Sequence, residues 1–119
     1  MNHIELGQRG EEIAVNYLVN KGFDIIERNY KWKNSEVDII CKKNNLLIVV
    51  EVKTRNSIAL GEPYLSVTRS KQKQIIKVTN RFIELNDVQE EVQFDVISII
   101  LNQHQTKIEH IENAFYPIA

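Results

Sequence analysis

Asp38, Glu51 and Lys53 are the side chains whose types and spacing could do chemistry in this chain. The apolar run Leu46-Leu47-Ile48-Val49-Val50 passes directly into Glu51-Val52-Lys53. A segment apolar enough to be a buried strand therefore finishes in a carboxylate and an ammonium that point the same way. Upstream, Ser35-Glu36-Val37-Asp38-Ile39-Ile40-Cys41 reads as a second strand, and Asn44-Asn45 between the two suits a two-residue hairpin turn whose central residues need positive φ. That turn sets Asp38 opposite Glu51 and Glu36 opposite Lys53, and period-two alternation puts all four on one face. Opposed Cβ atoms are about 4.5–5.5 Å apart, and like charges so placed are destabilising unless something neutralises them. A divalent cation held by both carboxylates, Mg²⁺ or Mn²⁺, would do so.

The chemistry such a site suits is phosphodiester hydrolysis. That reaction needs a cation to offset phosphate charge, a water made nucleophilic near neutral pH, and compensation for the negative charge that develops on the pentavalent centre. Asp38 is the expected central metal ligand and Glu51 the second, with the carbonyl of Val52 in reach of the same ion. Lys53 is expected to orient the attacking water or to stabilise the transition state. Glu11 supplies a further carboxylate if its helix packs over this end of the sheet, and Glu36 contacts the ion or pairs with Lys53. The competing reading is a pair of ordinary cross-strand ion pairs at a solvated strand end. Against it stands the arrangement itself: a hairpin built for stability would set lysine against a carboxylate in both rows, whereas here one row is Asp38 against Glu51.

These residues need elements to position them. Ile13, Ala14, Tyr17, Leu18 and the stem of Lys21 recur at helical spacing from about Leu6 to Lys21, and Gly22 supplies the stop. Glu11 rides on or beside the buried stripe of that helix. Phe23 to Trp32 reads as a strand interrupted by Arg28-Asn29, followed by hairpin strands over about 35–42 and 46–54. Residues 55–68 read as a loop that holds a short helical turn, and Arg69 to Leu85 as a second helix capped by Thr68 or Ser70. Strands follow over Val92 to Ile100 and Thr106 to Ile111. The order α-β-β-β-α-β-β implies an antiparallel meander, a helical crossover and a mixed sheet flanked by helices, within one domain of 119 residues.

The composition, 43% hydrophobic and 26% charged, is that of a soluble globular protein and excludes a disordered or collagen-like chain. The net charge of −1 announces no global basic field. Arg69, Lys71, Lys73, Lys77 and Arg81 nevertheless form a run without acids, which is either a solvated helix face or a nucleic-acid contact. Lys71 and Gln72, at the start of that helix, could reach a phosphate. The lone Cys41 permits no internal disulfide and suits packing in a reducing cytosol. His3, His104 and His110 show no zinc spacing. With neither a signal pattern nor an apolar stretch near the ~18 residues of a membrane span, a cytoplasmic location is expected.

Several motifs agree with one family: Gly7-x-x-Gly10-Glu11-x-x-Ala14, Tyr17-Leu18, Gly22, Arg28-Asn29-Tyr30, Glu36-Val37-Asp38-Ile39-Ile40, Val50-Glu51-Val52-Lys53-Thr54-Arg55, Lys71-Gln72, Phe94-Asp95-Val96 and Asn113-Ala114-Phe115. Together they resemble the YraN-like uncharacterised protein family 0102. The shorter pattern Asp38 with Glu51-x-Lys53 is similar to the signature of the PD-(D/E)XK nuclease superfamily, whose members include Holliday-junction resolvases. The resemblance implies a restriction-endonuclease-like core over 1–119 with Glu11, Asp38, Glu51 and Lys53 at the site and Lys71 or Gln72 as an auxiliary polar group. It departs from the family in Ser35, where a glycine is usual, and in Val37, where the superfamily name has proline. Neither change removes a functional group. The expected activity is metal-dependent cleavage of branched or otherwise structured DNA, with Arg55, Lys71, Gln72, Lys73 and Lys77 as candidate DNA contacts. The alternatives are a catalytically silent nucleic-acid-binding module and a protein-interaction subunit. A homodimer is compatible with this fold class, and Phe115-Tyr116-Pro117-Ile118 is a candidate contact.

Overall fold

The computed structural model describes residues 1–57 and 67–117. Elements follow in the expected order: α1 (His3–Asn20), β1 (Asp24–Trp32), β2 (Ser35–Lys43), β3 (Leu46–Arg55), α2 (Arg69–Asn86), β4 (Glu91–Leu101) and β5 (Thr106–Phe115). The five strands lie in one sheet in chain order. Only the β3–β4 pair is parallel, because α2 carries the chain back across the sheet between them. Residues 58–66 of the loop expected over 55–68, with its helical turn, lie outside the described residues.

Local chemistry explains the boundaries. The Asn2 side chain accepts from the Glu5 N–H at 2.8 Å, and Thr68, not Ser70, caps α2 by accepting from the Lys71 N–H at 3.1 Å. Gly22 follows α1 with a φ of 91°, a value that only glycine adopts cheaply. Asn44 and Asn45 have φ of 52° and 65°, as the β2–β3 turn requires. The resulting register is the expected one from Lys43–Leu46 up to Ile39–Val50.

Each face of the sheet buries one helix. Ala14 and Leu18 of α1 pack on Ile39, Cys41, Ile48, Val50, Ile97 and Ile99. Ile75, Val78 and Phe82 of α2 pack on Val37, Ile40, Leu47, Val49, Phe94 and Val96. Cys41 is part of the first core, and burial first, then the charge of Asp95, pushes its thiol up to about 12. Tyr30 meets Phe82 edge-on at 5.2 Å, which places it in the α2-side core.

The last strand runs on to Phe115, beyond the expected end at Ile111. A bulge lets it do so. Asn113 takes a φ of 55°, and its N–H donates to Asp95 Oδ1 at 3.0 Å. His110 Nε2 lies 2.7 Å from Asp95 Oδ2, and His110 Nδ1 lies 3.1 Å from the Tyr17 hydroxyl of α1. A carboxylate can only accept, so Nε2 carries a proton and donates to Asp95, while Nδ1 and the Tyr17 hydroxyl share the second bond. Phe115 is buried and stacks on Phe94 at 5.0 Å, so it faces its own core and is not available as a contact with a second copy. Tyr116 beside it is exposed, and Ile118 lies outside the described residues. Among the described residues no helix is long and apolar enough to cross a membrane.

Candidate active site

The hairpin ladder ends at Ile39–Val50, one step short of the acidic row. Asp38 and Glu51 therefore do not face each other as a hydrogen-bonded backbone pair. The strands part there, and Asp38 Oδ2 accepts the Val52 N–H at 2.8 Å in place of a β2 carbonyl. Because the N–H and carbonyl of one strand residue point to the same side, the Val52 carbonyl is directed into the same notch. Across the notch the Glu51 and Asp38 carboxyl groups hydrogen-bond to each other. Glu51 lies on the α2 side, where Lys71 Nζ stands 3.8 Å from its Oε1.

This pair is electrostatically uncomfortable. Burial, then the charge of Asp38, pushes Glu51 up to about 8, with Lys71 opposing. Burial also raises Asp38, against the Val52 N–H and the Glu51 hydrogen bond, which favour its ionised form. Two neighbouring carboxylates are therefore disfavoured, and the pair as a whole holds a proton more tightly than free carboxyl groups do. Glu51 Oε2 is buried and has no hydrogen-bond partner.

Glu36 departs from expectation. Val37 packs on the α2 side while Ile39, two residues on, packs on the α1 side, so β2 turns its faces over at Asp38. Opposite this point Asn29 of β1 takes a left-handed φ of 52°, and the ladder skips from Arg28–Ile39 to Tyr30–Val37. The β2–β3 ladder stops before it reaches them, so Glu36 and Lys53 are not a ladder pair. On its β1 side Glu36 pairs with Lys31, whose Nζ is 4.0 Å from Glu36 Oε2. Lys53 is instead in register with Ser98 of β4, exposed, and on the same face of β3 as Glu51.

Glu11 reaches this region from α1. A Cβ built on Gly10 would overlap the Thr54 hydroxyl and lie 2.7 Å from Thr54 Cβ, so only glycine lets α1 rest this closely on β3. That contact carries Glu11 close enough for burial, followed by the charge of Asp38, to raise it. The Asn29 side chain hydrogen-bonds Glu11 and opposes the rise. A groove of about 630 Å³ between α1 and β1 is lined by Glu11, Arg28, Asn29, Lys31 and Glu36.

The remaining expected contacts are spread more widely. Gln72 Nε2 donates to the Val67 carbonyl at 3.1 Å and so ties down the start of α2. Lys73 and Lys77 are exposed on the side of α2 opposite Ile75, Val78 and Phe82, away from the notch. Arg55 is half-buried at the end of β3. Two participants escape sequence reading: Asn29, signalled only by the break in its strand, and the ion pair of Lys71 with Glu51, which no spacing announces.

Among the described residues no three His, Cys, Asp or Glu side chains stand close enough together to hold a metal ion. Two carboxylates and a carbonyl nevertheless fit a small hard cation such as Mg²⁺, which keeps several waters and takes one or two protein carboxylates.

Comparison with known proteins places these features in a lineage. The model of the uncharacterised protein family UPF0102 matches residues 10–99. A UPF0102 protein of Christiangramia forsetii is 46% identical over 114 residues, covering 96% of each chain. One from Clostridioides difficile is 45% identical over 116 residues, 97% of this chain and 100% of its own. Another, from Thermodesulfovibrio yellowstonii, is 43% identical over 116 residues, 98% of this chain and 100% of its own. The matched span runs from Gly10, which seats α1 on Thr54, through both strands of the acidic notch to β4, and by that match the chain belongs to the UPF0102 family.

Proposed function

We propose that this chain is a divalent-metal-dependent endonuclease that cleaves structured DNA at the Asp38–Glu51 notch. The observation that carries the reading is Glu51 Oε2, a buried carboxyl oxygen without a hydrogen-bond partner, beside the half-buried carboxyl group of Asp38. A fold gains nothing from leaving such an atom unpaired, and a positive ion is what it lacks. Asp38, Glu51 and the Val52 carbonyl are the groups that would hold Mg²⁺ or Mn²⁺. Such an ion supplies charge against the phosphodiester and acidifies water to a nucleophile near neutral pH.

The chain's own groups do the rest. Asp38 is aimed by the Val52 N–H, which fixes one of its oxygens. Glu51 must give up its proton before it can ligate, and Lys71 favours that loss. Lys53, exposed on the same face of β3 as Glu51, would hold the attacking water or meet charge on the phosphate. Lys71 and Gln72 begin α2 beside the same notch, and Arg55 ends β3. The likeness of the Asp38 and Glu51-x-Lys53 pattern to PD-(D/E)XK nucleases supports the same reaction class.

The test is cleavage of junction, flap and single-stranded DNA with Mg²⁺ or Mn²⁺, by the wild-type chain and by Asp38→Ala and Lys53→Ala variants. Wild-type cleavage lost in both variants is the expected result, and cleavage that persists in both would remove the site from the reaction. A second reading, a catalytically silent nucleic-acid-binding module, is favoured by the missing third metal-ligating side chain among the described residues. It requires salt-dependent DNA binding without turnover in either metal.

A further inference from the structure

We infer that the β1–β2 turn and the first turn of α2 form a groove for the phosphodiester backbone of a DNA strand entering the notch, with Lys31, Lys33 and Lys71 as its phosphate contacts. This deepens the proposed function and rests on it for the identity of the ligand. The groove measures about 360 Å³, and its walls carry three lysines against one acid, Glu36. The whole chain is slightly acidic, so this is a local concentration of positive charge beside the carboxylates.

Backbone geometry singles out Lys33. The β1–β2 turn is two residues long, Lys33 and Asn34, closed by the Trp32–Ser35 pair. Lys33 occupies the left-handed region at a φ of 56°, where asparagine or glycine sits at lower cost. The β2–β3 turn meets the same demand with two asparagines. A lysine retained at such a point, with its Nζ held 4.7 Å over the Trp32 ring, is an ammonium placed at conformational expense. Lys31 and Lys71 reach their carboxylates only at 4.0 and 3.8 Å, long distances that leave ammonium protons for other acceptors.

The neighbouring groove completes the argument. It shares Lys31 and Glu36 with the basic one but adds Glu11, Glu12 and Arg28, the last paired with Glu12 at 2.9 Å. Acids outnumber bases there and bases outnumber acids on the α2 side, so the α2 side is the more favourable approach for a phosphate backbone. Lysine contacts to phosphate carry no base information, so binding through Lys31, Lys33 and Lys71 is independent of sequence.

The experiment measures binding of a labelled single-stranded DNA across a salt series, in EDTA so that no strand is cut. Lys33→Asn should raise the thermal midpoint by relieving the turn, yet weaken binding several-fold and flatten the salt dependence by roughly 0.7 in log–log slope. Lys31→Gln should weaken binding similarly, for every sequence tested. Unchanged affinity and slope in both variants, or loss confined to a Lys73→Gln/Lys77→Gln variant of the outer face of α2, would overturn the inference. Absence of binding by the wild-type chain would overturn it too. Cleavage assayed separately in Mg²⁺ distinguishes the two ideas: a wild-type chain that cuts while both lysine variants bind normally refutes the groove alone. A chain that never cuts while both variants lose binding refutes the nuclease reading alone.

Discussion

Two acids on neighbouring central strands, the buried Asp95 of β4 and the half-buried Glu51 of β3, are provided for in opposite ways. Asp95 is 1% exposed and accepts from the Gln93 amide, the Asn113 N–H and His110, all within 3.0 Å. Its negative charge is fully provided for within the chain, and it fastens β5 and, through His110 and Tyr17, α1. Glu51 has a rival carboxylate, a lysine at 3.8 Å and one oxygen with no partner. The first arrangement lowers the free energy of the fold, while the second raises it. What separates the two acids is the supply of donors around each.

The sharpest way to break this contrast is to remove Asp95. Asp95→Ala leaves three donors without an acceptor and should cost about 3–5 kcal/mol, read as a lower urea midpoint at an unchanged slope. A loss under about 1 kcal/mol would show that the network is not what secures β5.

Glu51 should respond in the opposite sense. Its folded pKa is raised from 4.5 to about 8, so the native state keeps a proton that the unfolded chain releases. The stabilisation from this group is complete below about 4.5 and is lost as pH climbs through about 8. In chelator, wild-type stability should therefore fall over that window by on the order of a few kcal/mol, and Glu51→Gln should flatten the fall. The variant should match or exceed the wild type in stability at pH 8 while losing all metal-dependent behaviour. Saturating Mn²⁺ should raise the wild-type thermal midpoint more at pH 8 than at pH 6, because the ion displaces the proton that the pair holds.

Smaller effects sharpen the picture of how α1 is seated. Gly10→Ala forces a methyl into Thr54 and should cost about 1–3 kcal/mol, with part regained in a Gly10→Ala/Thr54→Ala double variant. Additive losses in that cycle would mean that the two residues do not compete for space. Tyr17→Phe removes one hydrogen bond to His110 and should cost about 1 kcal/mol by the same urea measurement.

Much of the notch was legible in advance. An apolar run ending in Glu51-Val52-Lys53 and the Asn44-Asn45 turn were enough to bring Asp38 toward Glu51, since a two-residue turn fixes register and alternation fixes the face of β3. The placement of Glu36 was not legible, because it depends on a reversal of faces at Asp38 that strict alternation forbids. Asn29 makes that reversal, and a lone asparagine within a strand pattern does not announce whether its backbone is left-handed. The Asp95–His110–Tyr17 chain was equally hidden: its members are far apart in sequence, and a scattered histidine carries no spacing to read.

Local rules therefore determined the elements, the hairpin register and the meeting of two acids with a lysine nearby. These follow from periodicity, turn stereochemistry and side-chain alternation, all of which act within a few residues. Only the packed structure decided that the ladder would stop one pair short, that Val52 would give its N–H to Asp38, and that Gly10 would seat Glu11 beside them. It also decided that one oxygen of Glu51 would be left without a donor. Burial and hydrogen-bond supply are properties of the whole assembly, and no short stretch of chain encodes them.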